Sequence, residues 1–164
     1  MRNLAHDLRL CTWSPDASIT GGSVTGLTSP TFTQVDDTAP VINAKQKTVT
    51  ALGGTQTGAT ANTTDKPFTA TFYKPAVLKA LPAANPVTGL RGSVPTNQYK
   101  LIIRKGGLVA LGVPATIVGR LTIDVPAGME SYEPVQIQAF VSYLVGLLNE
   151  ESNDLSETLV TSVL

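Results

Sequence analysis

The chain has 164 residues, one domain's worth, and 42% of them are hydrophobic, enough for a core and against wholesale disorder. Twelve Lys plus Arg balance twelve Asp plus Glu, and a net charge of zero, taken as an average, argues against a nucleic-acid binder. The inventory holds one His, His6, and one Cys, Cys11, which excludes an intrachain disulfide and any Cys/His zinc cluster.

Catalysis finds little to work with. A Ser-His-Asp or Cys-His site would have to use His6, close to the N-terminus. Glu130 and Glu133 are near each other in sequence, but acid–base work needs carboxylates facing across a cleft, and acidic residues at a helix entrance explain them better. No catalytic residue, metal or cofactor is expected, and the chain does not read as an enzyme. No apolar run approaches membrane-spanning length, and residues 1–30 hold no continuous apolar signal region, so neither a membrane span nor a cleaved signal is expected.

Along the chain, short strands are expected over 8–13, 31–35, 41–47 and 48–52. Gly53-Gly54-Thr55-Gln56-Thr57-Gly58 lacks the Gly-Lys-Ser/Thr ending of a phosphate loop, so 53–66 reads as a polar surface connection. Phe68-Thr69-Ala70-Thr71-Phe72-Tyr73 alternates cleanly, setting Phe68, Ala70 and Phe72 against Thr69, Thr71 and Tyr73, the pattern of a half-buried strand. Residues 81–96 carry Pro82, Pro86, Pro95, Gly89 and Gly92 and read as a second long loop. Residues 99–105 set Tyr99, Leu101 and Ile103 against Lys100, Ile102 and Arg104. The segment 106–114 reads as a glycine-bounded loop, and 120–125 sets Leu121, Ile123 and Val125 against Arg120, Thr122 and Asp124.

After residue 130 the composition turns to helix formers. Ile137, Phe140, Val141, Leu144, Leu147 and Leu148 form an apolar stripe at helical spacing, with Ser131 as the expected cap and Pro134 in the first turn. A second helix is expected after residues 149–153, capped by Ser152 or Asn153. Strands followed by two helices make a single α+β domain over 1–164, with about 1–130 β-rich. Such a sheet must bury its apolar face and protect its edge, and dimerisation with exchanged helices would serve both needs.

The zero net charge conceals a partition: residues 1–43 carry −2, residues 44–120 carry +9 and residues 121–164 carry −7. A basic stretch of this kind points to nucleic acid or a membrane surface.

Leu121-Thr122-Ile123-Asp124-Val125-Pro126, an acidic spacer, a helix ending Val145-Gly146-Leu147-Leu148-Asn149 and a short final helix together resemble the coat proteins of single-stranded RNA bacteriophages, the levivirus-like family. Residues 67–75 and 97–105 are similar to that family's central strands. The resemblance covers 67–164 and departs from better-known members in the long connections 53–66 and 81–96.

It implies an N-terminal β-hairpin, a five-stranded antiparallel sheet and two C-terminal helices, in an obligate, interlocked homodimer with a continuous ten-stranded sheet. It further implies an icosahedral shell, a virion location after assembly in the bacterial host cytoplasm, and single-stranded genomic RNA bound on the inner sheet face, with translational repression through an RNA hairpin. Carried over by position, the RNA-facing residues are Thr69, Thr71, Tyr73, Lys100, Arg104, Thr116 and Arg120. Tyr73 stands where the family often has a basic residue. Thr116 or Ile117 occupies the neighbourhood where some members stack a base on Tyr. Residues 106–115 map onto the loop that gathers around the shell's symmetry axes. The +9 stretch is then expected to face inward and the −7 stretch outward. The alternative reading is a Thr-rich β-domain of a surface adhesin or phage tail component, which the stripe from Ile137 to Leu148 opposes.

Overall fold

A computed structural model describes residues 13–163. His6, Cys11 and nearly all of the expected strand over 8–13 lie outside the described residues; Trp13 is described and belongs to no strand.

Among the described residues, six strands form one antiparallel meander in chain order: β1 (Ser18–Thr20), β2 (Thr28–Asp37), β3 (Ala44–Thr55), β4 (Phe68–Tyr73), β5 (Thr96–Ala110) and β6 (Val113–Pro126). Three helices follow: α1 (Met129–Tyr132), α2 (Pro134–Glu150) and α3 (Ser152–Thr161). The α+β class and the strands-then-helices order agree with the sequence. The sheet has six strands where five are expected, because β1 joins it at the edge beside β2, and α1 adds a short helix to the expected two; an N-terminal hairpin that uses the expected strand over 8–13 falls mostly outside the described residues.

Three boundaries also differ. The expected strands 41–47 and 48–52 are one strand, β3. Lys47 falls on the apolar side of that strand, where an ion pair to Asp36 at 2.9 Å holds it, and this breaks the alternation a sequence reader follows. The expected loop over 106–114 is strand on both sides of a two-residue turn, Leu111-Gly112, with Gly112 at φ +75°. Ser131 lies inside α1 instead of capping it. Gly128, in the left-handed region at φ +94°, opens that helix, and the Gly128 N–H donates to Glu130 Oε2 at 2.9 Å.

Pro134 stands in the first turn of α2, where its missing N–H costs nothing. Ser152 and Asn153 begin α3, but their side chains reach back to the turn between β1 and β2. Ser152 Oγ donates to Ser23 O at 2.8 Å, and Asn153 Oδ1 accepts from Thr25 N and Oγ1, both at 2.8 Å.

Facing residues in the register share a side, so the sheet has one apolar and one polar face. Phe32, Phe68, Phe72, Tyr99, Leu101, Leu121 and Ile123 lie on the apolar face. There Trp13 and Tyr99 stack on Phe72, and Phe32 meets Phe68 edge-on.

That face is poorly covered. Among the described residues Val49 and Ala127 are the buried apolar side chains, and no residue of α2 or α3 is buried. Ile137 and Leu144 are half-buried, while Phe140, Val141, Leu147 and Leu148 are exposed. The start of α2 borders a groove with Ile123, Val125 and Tyr99, but the stripe is not sealed by its own sheet.

Candidate nucleic-acid interface

The polar face is assembled by register. Thr69, Thr71 and Tyr73 of β4 stand opposite Arg104, Ile102 and Lys100 of β5. Lys100, Ile102, Arg104 and Gly106 in turn stand opposite Thr122, Arg120, Val118 and Thr116 of β6. All seven sequence-expected positions, Thr69, Thr71, Tyr73, Lys100, Arg104, Thr116 and Arg120, therefore fall on one side of the sheet, because side chains alternate and no register shift intervenes between them.

Their exposure differs. Lys100, Thr116 and Arg120 are exposed, and Thr69, Tyr73 and Arg104 are half-buried. Thr71 is fully buried, its hydroxyl donating to Gln46 Oε1 at 2.8 Å and accepting from Arg104 Nη1 at 3.4 Å. A completely covered hydroxyl with both partners in place has no surface to offer a ligand.

The face also holds residues that the sequence did not single out. Gln46 and Thr48 of β3, Gln98 of β5 and Asp124 of β6 share it, and Gln98 Nε2 donates to Asp124 Oδ1 at 3.0 Å. Asp37 of β2 lies opposite Gln46 and accepts from its Nε2 at 2.7 Å. The alternation within β3 could have pointed to Gln46 and Thr48 had that strand been read as continuous.

Register divides the strand cations. Lys100, Arg104 and Arg120 lie on the polar face, whereas Lys45, Lys47 and Lys105 lie on the apolar face. Lys105 is held there by Phe68, whose ring centroid lies 4.8 Å from its ammonium, and by Thr60 O, which accepts at 2.7 Å. Burial holds that ammonium below the usual lysine range, and the neighbouring Lys66 charge lowers it further. Lys105 thus fastens the connection between β3 and β4 to the sheet. Asp37 and Asp124 place acidic groups on the polar face, while Glu130, Glu133, Glu150, Glu151, Asp154 and Glu157 lie in or beside the helices. The charge partition is thus a property of a few strand positions instead of the whole 44–120 stretch.

Among the described residues there is no group of His, Cys, Asp and Glu able to hold a metal ion, and no helix is long and apolar enough to cross a membrane.

No protein-family model and no curated protein matches the chain. Among solved structures, the virus-like particle of bacteriophage ESE020 is similar at 37% identity, covering 93% of this chain and 100% of that one, with a TM-score of 0.89. The virus-like particle of Beihai levi-like virus 32 aligns at 15% identity over 81% of this chain and 88% of that one, with a TM-score of 0.46, too distant a likeness to carry an inference. By its identity and near-complete overlap with the ESE020 particle protein, the chain belongs to the bacteriophage coat-protein family, the levivirus-like one its sequence resembles, and it is a structural capsid protein, not an enzyme.

Proposed function

We propose that the chain pairs with a second copy through its apolar sheet face and α2, that such dimers build a closed icosahedral shell, and that the polar face holds single-stranded genomic RNA inside it. The observation that carries this reading is the mismatch between the α2 stripe and its own sheet: a phage coat protein whose described residues bury only Val49 and Ala127 among apolar side chains lacks the cover a stable chain needs. Each Leu, Ile or Phe fully covered contributes about 1.5–3 kcal/mol, so sealing the stripe supplies on the order of 10 kcal/mol for association. The outer edge of β6, which no other strand of the described residues pairs, gives the second copy a strand to pair with. Assembly in the bacterial host cytoplasm follows from the same reading.

On the polar face Lys100, Arg104 and Arg120 bind phosphates, Thr69 and Thr116 bond bases or phosphates, and Tyr73 stacks on an unpaired base. Thr71 acts from beneath. Repression of translation would need a specific hairpin, and Thr116 and Ile117 supply no aromatic platform on β6 for the base that some members stack there.

Replacing Lys100 and Arg104 together by alanine is expected to lower the RNA carried per protein chain. It should also flatten the salt dependence of RNA binding by about 1.4 in logarithmic slope, about 0.7 for each single-strand phosphate no longer neutralised. An unchanged RNA content and slope would remove both residues from the interface.

A further inference from the structure

A hydrogen-bond relay crosses four strands of the polar face. Asp37, Gln46 and Thr71 stand directly opposite one another on β2, β3 and β4, and Arg104 lies diagonally across from Thr71 on β5. Every donor points the same way. Arg104 Nη1 donates to Thr71 Oγ1 at 3.4 Å, Thr71 Oγ1 donates to Gln46 Oε1 at 2.8 Å, and Gln46 Nε2 donates to Asp37 Oδ2 at 2.7 Å. A cation stands at one end and a carboxylate at the other, so each bond polarises the next in the same sense. The Asp37 carboxylate is itself fixed by the Thr38 N–H, which donates to Oδ1 at 2.7 Å.

The relay is built where the face is best covered. The Thr71 side chain is fully buried, and no buried side-chain polar atom among the described residues lacks a partner. A threonine hydroxyl has one proton and can accept as well. Here the proton is committed to Gln46, so an acceptor faces Arg104. The bond draws the guanidinium along the strand, away from its direct neighbour Thr69 and toward the Tyr73–Lys100 pair.

We infer that Thr71 and Gln46 are positioning residues that preset the Arg104 guanidinium for a phosphate of single-stranded RNA, the ordering being done before the ligand arrives. An unrestrained arginine loses rotamer freedom when it binds, and a guanidinium already held loses less. This inference rests on the proposed RNA-binding role of the face and adds which residues prepare it.

The test is a double-mutant cycle on binding of a short mixed-sequence single-stranded RNA to the purified protein across a salt series. Thr71→Val keeps the shape and removes the acceptor. It is expected to weaken binding roughly three- to tenfold, the range for losing one ordinary hydrogen bond, with the loss largely absent in an Arg104→Gln background. Thr71→Ser should restore most of the affinity, and Lys100→Gln should add to Thr71→Val independently. If Thr71→Val impairs folding, Gln46→Met breaks the relay one bond farther away and is expected to show the same dependence on Arg104. A loss of equal size with and without Arg104, or no loss at all, overturns the positioning role while leaving RNA binding intact. A wild-type protein that binds the RNA without salt dependence, or not at all, overturns the RNA-binding reading itself.

Discussion

Gly106→Ala is expected to lower the unfolding midpoint by roughly 6–12 °C, a loss of about 3 kcal/mol, whereas Gly107→Ala should leave it nearly unchanged. The two glycines are adjacent in β5 and their backbones are both extended, so propensity alone treats them alike. Their surroundings do not. A Cβ on Gly106 would collide with the Lys66 backbone and come within 2.7 Å of Pro67 Cδ, while nothing lies within 4 Å of one on Gly107. At Gly106 the connection entering β4 crosses directly over β5, and the Gly106 N–H donates to Pro67 O at 2.6 Å. Backbone must move to admit even a methyl group, placing the cost at the upper end for overpacking. Thermal unfolding of the two variants side by side checks this, and equal midpoints would contradict the close approach.

The largest effect on assembly is expected from Phe140→Glu combined with Leu148→Glu. Both side chains are exposed on the α2 stripe, Phe140 at 51% and Leu148 at 47%, so in an isolated chain two carboxylates would sit in water at little cost. Against a partner's apolar surface they would each forgo about 1.5–3 kcal/mol of burial and add the larger penalty of a desolvated charge, repeated at every copy in a shell. Sedimentation should show a small, soluble, helical species and no particles. Normal particles from the double variant would mean that this stripe is not what the second copy covers.

Much of this arrangement is legible from local pattern. The period-two alternation of Phe68–Tyr73, and that beginning at Tyr99, places Thr69, Tyr73, Lys100 and Arg104 on the polar sides of their strands without any knowledge of register, because alternation is a property of each strand alone. What local pattern misses is what another strand decides. Lys47 interrupts an apolar face because Asp36 on β2 stands opposite it. Gly106 and Gly107 read as chain breakers, yet Gly106 is required by Lys66 passing over it, forty residues away in sequence. The helix starts fail for a similar reason. Ser152 and Asn153 have capping side chains, but those atoms satisfy the Ser23 carbonyl and Thr25 on the far side of the chain.

The interface follows the same division. Thr71 could be assigned to the polar face from sequence, but that its hydroxyl is buried between Gln46 and Arg104 depends on the β3–β4 and β4–β5 registers together. Asp37 enters the same face only through the β2–β3 pairing. Net charge per segment, +9 over 44–120, counts Lys45, Lys47 and Lys105 equally with Lys100 and Arg104, and only strand parity separates the two sets.

Negative-stain electron microscopy of the purified protein, with added ribonuclease, tests whether this chain forms a shell around RNA. Closed particles of uniform size whose RNA survives the nuclease are the expected result. A monomer or isolated small oligomer free of nucleic acid, under conditions that permit assembly, would contradict it.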